Sequence, residues 1–137
     1  MTQEDKQLLL KDLCARLPYG VMCDIYSWQH DDPRTLIECV PAYRGEEIVL
    51  SNLAGRHSIS EVKPYLRPMS SMTEEEKKSY HIIKDRLCEA CIHGTIKDIA
   101  YWTNSLDLWF YKYHFDNANL IDKGLALEAP EDMYKTE

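Results

Sequence analysis

Glycine is scarce in this chain, and long apolar runs are missing. Five glycines in 137 residues leave little room for the glycine-rich loops that cradle phosphate groups. The nucleophile motif GxSxG and the zinc motif HExxH are also missing from the sequence. No stretch reaches the roughly 18–20 apolar residues that a membrane-spanning helix requires. We therefore expect a protein that is not an enzyme, needs no cofactor and does not enter a membrane.

The first residues, MTQEDKQLLLKDL, lack the basic segment and apolar run of a signal peptide, which predicts a cytoplasmic protein. Cysteine occurs in an odd, scattered set rather than in the paired pattern of a disulfide framework. In a non-secreted chain such a set indicates reduced thiols, several of them buried as small apolar side chains. The five are Cys14, Cys23, Cys39, Cys88 and Cys91.

Acidic residues outnumber basic ones by 23 to 16, which gives a net charge of −7. This balance argues against a broad nucleic-acid surface, because phosphate contacts come from lysine and arginine. One small basic cluster remains, with Tyr65 interleaved, and a surface of this kind can bind single-stranded nucleic acid. Its members are Lys63, Arg67, Lys77 and Lys78, and Glu61 and Glu74–Glu76 surround them. A nucleic-acid-binding accessory protein is therefore the alternative function, although nucleic acid is the less favoured partner.

The first half of the chain predicts one helix followed by strands. Residues 2–17 have the period of an amphipathic helix, which Thr2 can cap and Pro18 ends. Its apolar stripe consists of Leu9, Leu10, Leu13 and Leu17, and the residues outside it are Lys11, Asp12 and Arg16. Alternating patterns then predict strands at 21–28, 35–40, 47–53 and 58–62, with turns at 30–34 and 41–46 and a loop at 52–57. This spacing indicates an antiparallel meander, either a curled sheet or a small barrel of four or five strands.

The second half predicts helices. Pro64 and Pro68 cannot donate to a sheet, so residues 63–68 are predicted at a sheet edge or outside it. Two overlapping capping boxes then start a helix over about 73–92, which Gly94 ends. The boxes are Ser71-x-x-Glu74 and Thr73-x-x-Glu76, and the stripe predicted to be buried is Tyr80, Ile83, Leu87 and Cys91.

Residues 95–101 are compatible with helix, strand or loop. A further helix that runs to His114 can begin at a cap among residues 103–105. Its aromatic stripe, predicted to cover the sheet, is Leu106, Trp109, Phe110 and Tyr113. Beyond it we expect a short helix over 116–123, an edge strand over 125–128, and a polar tail that frays over 129–137.

Together these patterns predict an α+β fold in a single domain, residues 1–137. The N-terminal helix and the meander occupy 1–67, a mainly helical part occupies 68–128, and the tail occupies 129–137. In this arrangement the N-terminal helix and two or three C-terminal helices pack on the sheet.

The pattern Cys88-x-x-Cys91-x-His93 resembles redox and zinc motifs. A redox pair needs a thiol at a helix N-terminus, where the dipole lowers its pKa, whereas this pair lies near a helix C-terminus. A structural zinc site needs four ligands, and three candidates lie here. We therefore interpret Cys91 as a buried helix residue, and a small metal or redox protein is the third function.

Five side chains are left over once the predicted core is assigned. Leu108, Tyr111 and Ile82 fall off the helical stripes, and such exposed apolar groups can mark a partner or self-association surface, so a homodimer is one option. Tyr65 and Arg67 lie between two prolines and have no evident structural task. His114 precedes Asp116 by two residues, but without a nucleophile we interpret it as a surface residue at a helix C-terminus.

Three segments resemble, as strings, a family of short uncharacterised proteins encoded by gut bacteria and their phages or prophages. They are LLLKDLCARLPYGV (8–21), ISEVKPYLRPMSSMTEEE (59–76), and HFD (114–116) with LIDKGLALEAPEDMY (120–134). No activity and no catalytic residues are known for this family. The resemblance implies a cytoplasmic accessory protein of a mobile element, and we interpret the chain as a non-enzymatic module that binds another protein.

Overall fold

A computed structural model describes residues 2–25, 35–36, 38–44, 47–52, 55–131 and 133–134, with side chains described for 2–24, 59–131 and 133–134. The chain folds as α+β, as predicted. The helices are α1 (Gln3–Arg16), α2 (Glu74–His93) and α3 (Ile96–Lys112), and short 3₁₀ turns occupy Leu17–Tyr19, Ile59–Glu61 and Met69–Ser71. The strands are β1 (Met22–Ile25), β2 (Thr35–Leu36), β3 (Glu38–Arg44), β4 (Glu47–Asn52), β5 (Gly55–Ser58), β6 (Val62–Leu66) and β7 (Leu127–Glu128).

Helix α1 follows its prediction closely. The Thr2 hydroxyl accepts a hydrogen bond from the Asp5 amide, and the Asp5 carboxylate accepts one from the Thr2 amide, which closes a capping box. Leu9 and Leu13 are fully buried in the main core. The prediction that Asp12 and Arg16 lie outside the buried face is wrong, because both side chains are buried.

The strands form two sheets rather than the single curled sheet or barrel that the pattern predicted. The first has the order β2-β1-β6-β7, in which β1 pairs antiparallel with β2 and β6, and β7 pairs parallel with β6. The second is an antiparallel meander in the order β3-β4-β5. The split has a topological cause, because β6 returns to pair with β1 instead of continuing the meander from β5.

Prolines and one loop account for the errors in strand boundaries. Pro41 lies inside β3 and not in a turn, within a register shift between Glu38 and Ala42 that tolerates a residue without an amide proton. The predicted loop at 52–57 contains β5, and the strand predicted at 58–62 is a 3₁₀ turn followed by β6. Pro64 is buried within β6, where β7 pairs only with the two residues that follow it. The predicted turn at 30–34, with Asp31 and Asp32, lies outside the described residues.

Helices α2 and α3 form an antiparallel hairpin, which we call the hairpin (residues 74–112). Of the two overlapping capping boxes, the structure uses Thr73 with Glu76. A third box, Thr95 with Asp98, starts α3 directly after Gly94, so the undecided residues 96–101 are helical. A β-carbon at Gly94 would lie 2.8 Å from the Ala90 carbonyl oxygen, and glycine therefore permits this tight connection.

The segment after α3 returns to the sheet without forming the short helix predicted at 116–123. It is a series of turns, in which the Asp116 carboxylate accepts hydrogen bonds from the amides of Leu120 and Ile121 at 2.7 and 3.0 Å. The edge strand β7 confirms the predicted return. The prediction of a fraying tail is wrong at Met133, which is buried, and at Tyr134, which is hydrogen bonded to β1 and β6.

Two apolar clusters organise the core. The main cluster joins α1, β1, β6 and the turns around Leu120 and Leu125. The second cluster is aromatic and consists of Trp109, Phe110 and Phe115, with Tyr80 and Tyr113 packed against it. It joins the open end of the hairpin to the rest of the molecule. We call that rest, namely α1, both sheets and residues 114–134, the body.

Candidate functional site in the hairpin

One arginine of the body is buried and stabilises the fold. The guanidinium of Arg16 is fully buried and donates to both carboxylate oxygens of Asp12, at 2.8 and 3.1 Å. The same group donates to the carbonyl oxygen of Phe115 at 2.6 Å and to the side-chain oxygen of Asn117 at 3.0 Å. Since a buried ion pair needs such additional hydrogen bonds to offset its desolvation, this network is a structural connection between α1 and the segment after α3.

A second arginine, Arg67, directly follows β6 and connects the body to the start of the hairpin. Both terminal nitrogens of Arg67 donate to the Glu76 carboxylate at 2.7 Å. The guanidinium also lies 4.3 Å from the ring centroid of Phe115, which stacks on Trp109 with an angle of 12° between the rings. Burial opposes ionisation of Glu76, but hydrogen bonds from Arg67 and Thr73 lower the pKa of the carboxyl group below its ordinary value.

His114 is buried, and the prediction that it lies on the surface is wrong. Its Nε2 lies 3.0 Å from the carbonyl oxygen of Tyr19, and because a carbonyl only accepts, this nitrogen carries the proton. The ring stacks on Tyr134 with 4.0 Å between centroids. Burial, together with the positive charge of Arg16, lowers the pKa of His114 to about 4. The imidazole is therefore neutral near pH 7 and serves as a packed ring.

The hydroxyl of Tyr134 replaces a backbone hydrogen bond at the end of the β1–β6 pair. Pairing between these strands ends at Cys23 and Pro64. One position further, the Met22 amide donates to the Tyr134 hydroxyl at 3.0 Å, and that hydroxyl donates to the Tyr65 carbonyl oxygen at 2.6 Å. Burial raises the pKa of Tyr134. This hydroxyl is thus a structural group and not an acid or base.

The hairpin shows the opposite character from the body. Between 87 and 101, all of which the structure describes, Ala90 is the one buried residue. Six large apolar side chains are exposed among the described residues, and five of them lie in the hairpin. They are Ile96 (86 % exposed), Ile92 (72 %), Tyr101 (64 %), Ile82 (62 %) and Leu108 (43 %), and the sixth is Tyr19 in the body. Residues 87–101 are called the distal hairpin below.

A shallow depression lies between the two helices in the distal hairpin. Its volume is about 210 Å³, and Ala90 and Gly94 belong to its lining. The other lining residues are Arg86, Glu89 and His93 from α2 and Asp98 and Trp102 from α3. Its mixture of one arginine, two carboxylates and an indole suits a polypeptide surface better than a small ligand, which needs a deep, mostly apolar pocket.

No family model, curated protein or solved structure matches this chain. Among the described residues, no helix combines the length and the apolar character that crossing a lipid bilayer requires. The case for a function therefore rests on the geometry of the chain itself.

The motif Cys88-x-x-Cys91-x-His93 lies on the exposed surface of α2. Both thiols are exposed, so the interpretation of Cys91 as a buried helix residue is wrong. The neighbouring Ala90 is buried instead. Near the C-terminal end of α2, the side chain that faces α3 therefore lies one residue earlier than the predicted stripe placed it. Within the described residues, no group of three or more side chains is placed to hold a metal ion.

The five predicted partner-binding residues fall into two groups. Ile82 and Leu108 are exposed on the hairpin, as predicted. Tyr65 and Tyr111 are partly buried, and the ring centroid of Tyr111 lies 5.2 Å from the guanidinium carbon of Arg16. Arg67 is engaged within the fold. The structure does not bring the five together in one place.

Sequence reasoning missed the three large apolar side chains that are most exposed in the described part of the chain, which are Ile92, Ile96 and Tyr101. Ile96 and Tyr101 lie within residues 95–101, whose sequence is compatible with helix, strand or loop. The capping box of Thr95 with Asp98 is the signal that would have found the start of α3, and with it the helical positions of both side chains.

Two of the four cations in the basic cluster predicted for nucleic acid are paired with carboxylates. Arg67 pairs with Glu76, and Lys77 pairs with Glu74 at 3.2 Å. Each of these cations therefore has a carboxylate at its side, which leaves less charge for a phosphate backbone.

Proposed function

We propose that the chain is a non-enzymatic, cytoplasmic module that binds another protein, and that the distal hairpin is its binding arm. The observation that carries this proposal is the distribution of the six large apolar side chains that are exposed among the described residues. Five of them lie in the hairpin, three of these in the distal hairpin, and one lies in the described part of the body. Isolated exposed apolar residues are ordinary, but their concentration on one element is typical of interaction sites.

The charges of the hairpin support a protein partner over a nucleic acid. Within residues 74–112 there are seven acidic and six basic side chains, excluding histidine. An electrostatically balanced surface with isoleucine and tyrosine fits the composition of protein interfaces, whose centres are apolar and contain few charges. In contrast, nucleic-acid surfaces draw their affinity from an excess of cations.

The resemblance to short proteins of gut bacteria and their phages supplies a biological setting for this proposal. An accessory protein of a mobile element would act by binding a protein of the bacterial host or of the phage. The body would then serve as a stable support that presents the hairpin.

Affinity capture from a bacterial lysate tests the proposal. The tag belongs at the N-terminus, because Thr2 is exposed whereas Tyr134, near the other end, is docked. The test variant combines Ile92→Lys with Ile96→Asp, since these charges suit the C-terminus of α2 and the N-terminus of α3 and leave the net charge unchanged. We expect the wild type to enrich a defined protein that this variant loses.

The matched control is Tyr19→Gln, which removes the one exposed large apolar side chain found in the described part of the body without changing the charge. It should capture the same protein as the wild type. If the control and the test variant lose the protein equally, or if neither loses it, the hairpin is not the binding arm.

A further inference from the structure

One face of α3 carries a stripe of five side chains that the fold itself does not bury. Its members, called the α3 stripe, are Asp98, Tyr101, Ser105, Leu108 and Lys112. Their spacings are three, four, three and four residues, which is the seam of an antiparallel or parallel helix pair. Asp98, Tyr101, Leu108 and Lys112 are exposed, and Ser105 is partly buried and donates its hydroxyl to the Tyr101 carbonyl oxygen at 2.8 Å.

The types of side chain occur in the same order from either end of this stripe, except that the charges at its two ends are opposite. From one end to the other it runs carboxylate, apolar, small, apolar, ammonium. If a second copy is laid antiparallel across the stripe with Ser105 at the crossing, Asp98 of each copy faces Lys112 of the other. Tyr101 of each copy then faces Leu108 of the other. A two-fold interface requires this kind of self-complementarity.

Neighbouring groups extend the same face. Ile82 of α2 lies at the level of Leu108, as the ring contact between Tyr80 and Trp109 at 5.6 Å fixes the alignment of the two helices. The ring of Tyr101 packs edge-on against Trp102, which lines the depression between the helices. A small residue at the crossing permits close approach of the two backbones, because side-chain size sets the distance between helix axes.

The charged ends of the stripe are available for a second chain. Lys112 forms no ion pair with any residue that the structure describes, and its ammonium group lies 5.6 Å from the ring centroid of Tyr113. Hydrogen bonds from the backbone and side chain of Thr95 lower the pKa of Asp98, which keeps the carboxylate negative. Both of those hydrogen bonds use Oδ2 of Asp98.

We infer that the α3 stripe is the interface of an antiparallel two-fold dimer of this chain. This dimer goes beyond the proposed function, and its interface shares Asp98 and Tyr101 with the distal hairpin but leaves Ile92 and Ile96 outside it. Nine residues separate Ile96 from Ser105, which corresponds to about 180° around a helix, so Ile96 remains exposed on the far side of α3. A dimer would therefore present two binding arms to the protein partner.

The interface is small, and the association should be weak. The stripe spans about 21 Å along the helix, so the buried surface falls below the roughly 800 Å² per partner of a standard stable complex. We expect a dissociation constant in the micromolar to millimolar range. Sedimentation velocity on the full chain from about 10 µM to about 1 mM covers that range, and we expect a reversible shift from monomer to dimer.

Two charge reversals make the test specific. Lys112→Glu places two carboxylates opposite one another at both ends of the interface, and Asp98→Lys places two ammonium groups there. We expect each variant alone to dimerise about tenfold more weakly, or about 1.4 kcal/mol. An equimolar mixture of the two restores both attractive pairs, and the dimer should return to its wild-type strength as a heterodimer.

Controls separate this result from effects of folding or net charge. Asp98→Lys also removes a helix cap, so circular dichroism must show that it keeps its helices, and Leu108→Asp provides a second variant that leaves the cap intact and should weaken the dimer. Lys123→Glu makes the same charge change on an exposed lysine outside the hairpin and should have no effect.

A chain that stays monomeric up to about 1 mM overturns the inference, as does a dimer that is insensitive to Leu108→Asp and Lys112→Glu. A mixture that fails to regain wild-type strength also overturns it. These outcomes leave the proposed function standing whenever the wild type still captures a protein that the Ile92 and Ile96 variant loses.

Discussion

Among the described residues, the body buries the charged side chains of Asp12, Arg16 and Asp116, whereas every charged side chain of the distal hairpin lies in water beside exposed isoleucines. Arg16 is buried with four hydrogen-bond acceptors on Asp12, Phe115 and Asn117, and Arg67 is held by Glu76 and Phe115. Ile92 and Ile96, in contrast, pack against little. Under the proposed function, this difference assigns stability and binding to separate parts of one small chain, so substitutions in the two parts should have different consequences.

Removing the buried guanidinium should produce the largest effect. Arg16→Met leaves the Asp12 carboxylate buried without its partner and removes the donor to Phe115 and Asn117. We expect a loss of about 3–5 kcal/mol in the free energy of unfolding, measured by urea denaturation. Lys11→Met, on the exposed neighbour, should change it by less than about 0.5 kcal/mol. Similar losses for the two variants would show that the buried network contributes little.

Adding a side chain at the turn between the two helices should lower the free energy of unfolding less than Arg16→Met does, and the effect should be more local. Gly94→Ala forces a β-carbon to within 2.8 Å of the Ala90 carbonyl oxygen, and such overpacking costs about 1–3 kcal/mol. We expect faster amide hydrogen exchange in residues 87–101 while the body keeps its protection. The exposed Asn104→Ala serves as the control. Equal acceleration in the body would contradict the separation of the two parts.

The buried histidine should make the body sensitive to acid. The pKa of His114 in the folded chain is about 4 against an ordinary value of 6.5, so the unfolded state binds more protons between these values. The contribution of the neutral ring to stability is complete above about pH 6.5 and falls as the pH drops toward 4. Thermal unfolding across this window should show a declining midpoint, and His114→Gln should flatten the decline. An unchanged slope would assign it to other groups.

Substitution at the end of the hairpin should have the smallest effect on folding. Ile92→Lys combined with Ile96→Asp removes two side chains that are 72 and 86 % exposed, and the new charges suit the helix ends. We expect the free energy of unfolding to stay within about 0.5 kcal/mol of the wild type. A larger loss in urea denaturation would mean that these isoleucines belong to the core.

Local sequence signals predicted α1 and α2 well, but they placed the start of α3 at residues 103–105 instead of Ile96 and predicted a helix over 116–123 that does not form. Thr2, Thr73 and Gly94 each marked a helix end, because capping depends on residues within one turn of the end. Sheet pairing was predicted less well, since the return of β6 to β1 joins residues far apart in the sequence. No local pattern shows that Pro64 lies inside a strand.

The candidate site was only partly predictable, because burial and exposure also depend on contacts between elements that local patterns do not show. Exposure of Ile82 and Leu108 followed from their positions off the helical stripes. The burial of Arg16 could not be foreseen, because its acceptors lie about a hundred positions along the chain at Phe115 and Asn117. The exposure of Cys91 depends on how α2 rotates against α3, and a shift of one residue changes which side chain is buried.

The most direct test of the account compares capture by the wild type with capture by the Ile92→Lys and Ile96→Asp variant at equal stability. We expect the two proteins to unfold at the same temperature, while the amount of captured partner falls at least tenfold in the variant. Equal capture by both proteins would contradict it, because the distal hairpin would then contribute neither to folding nor to binding.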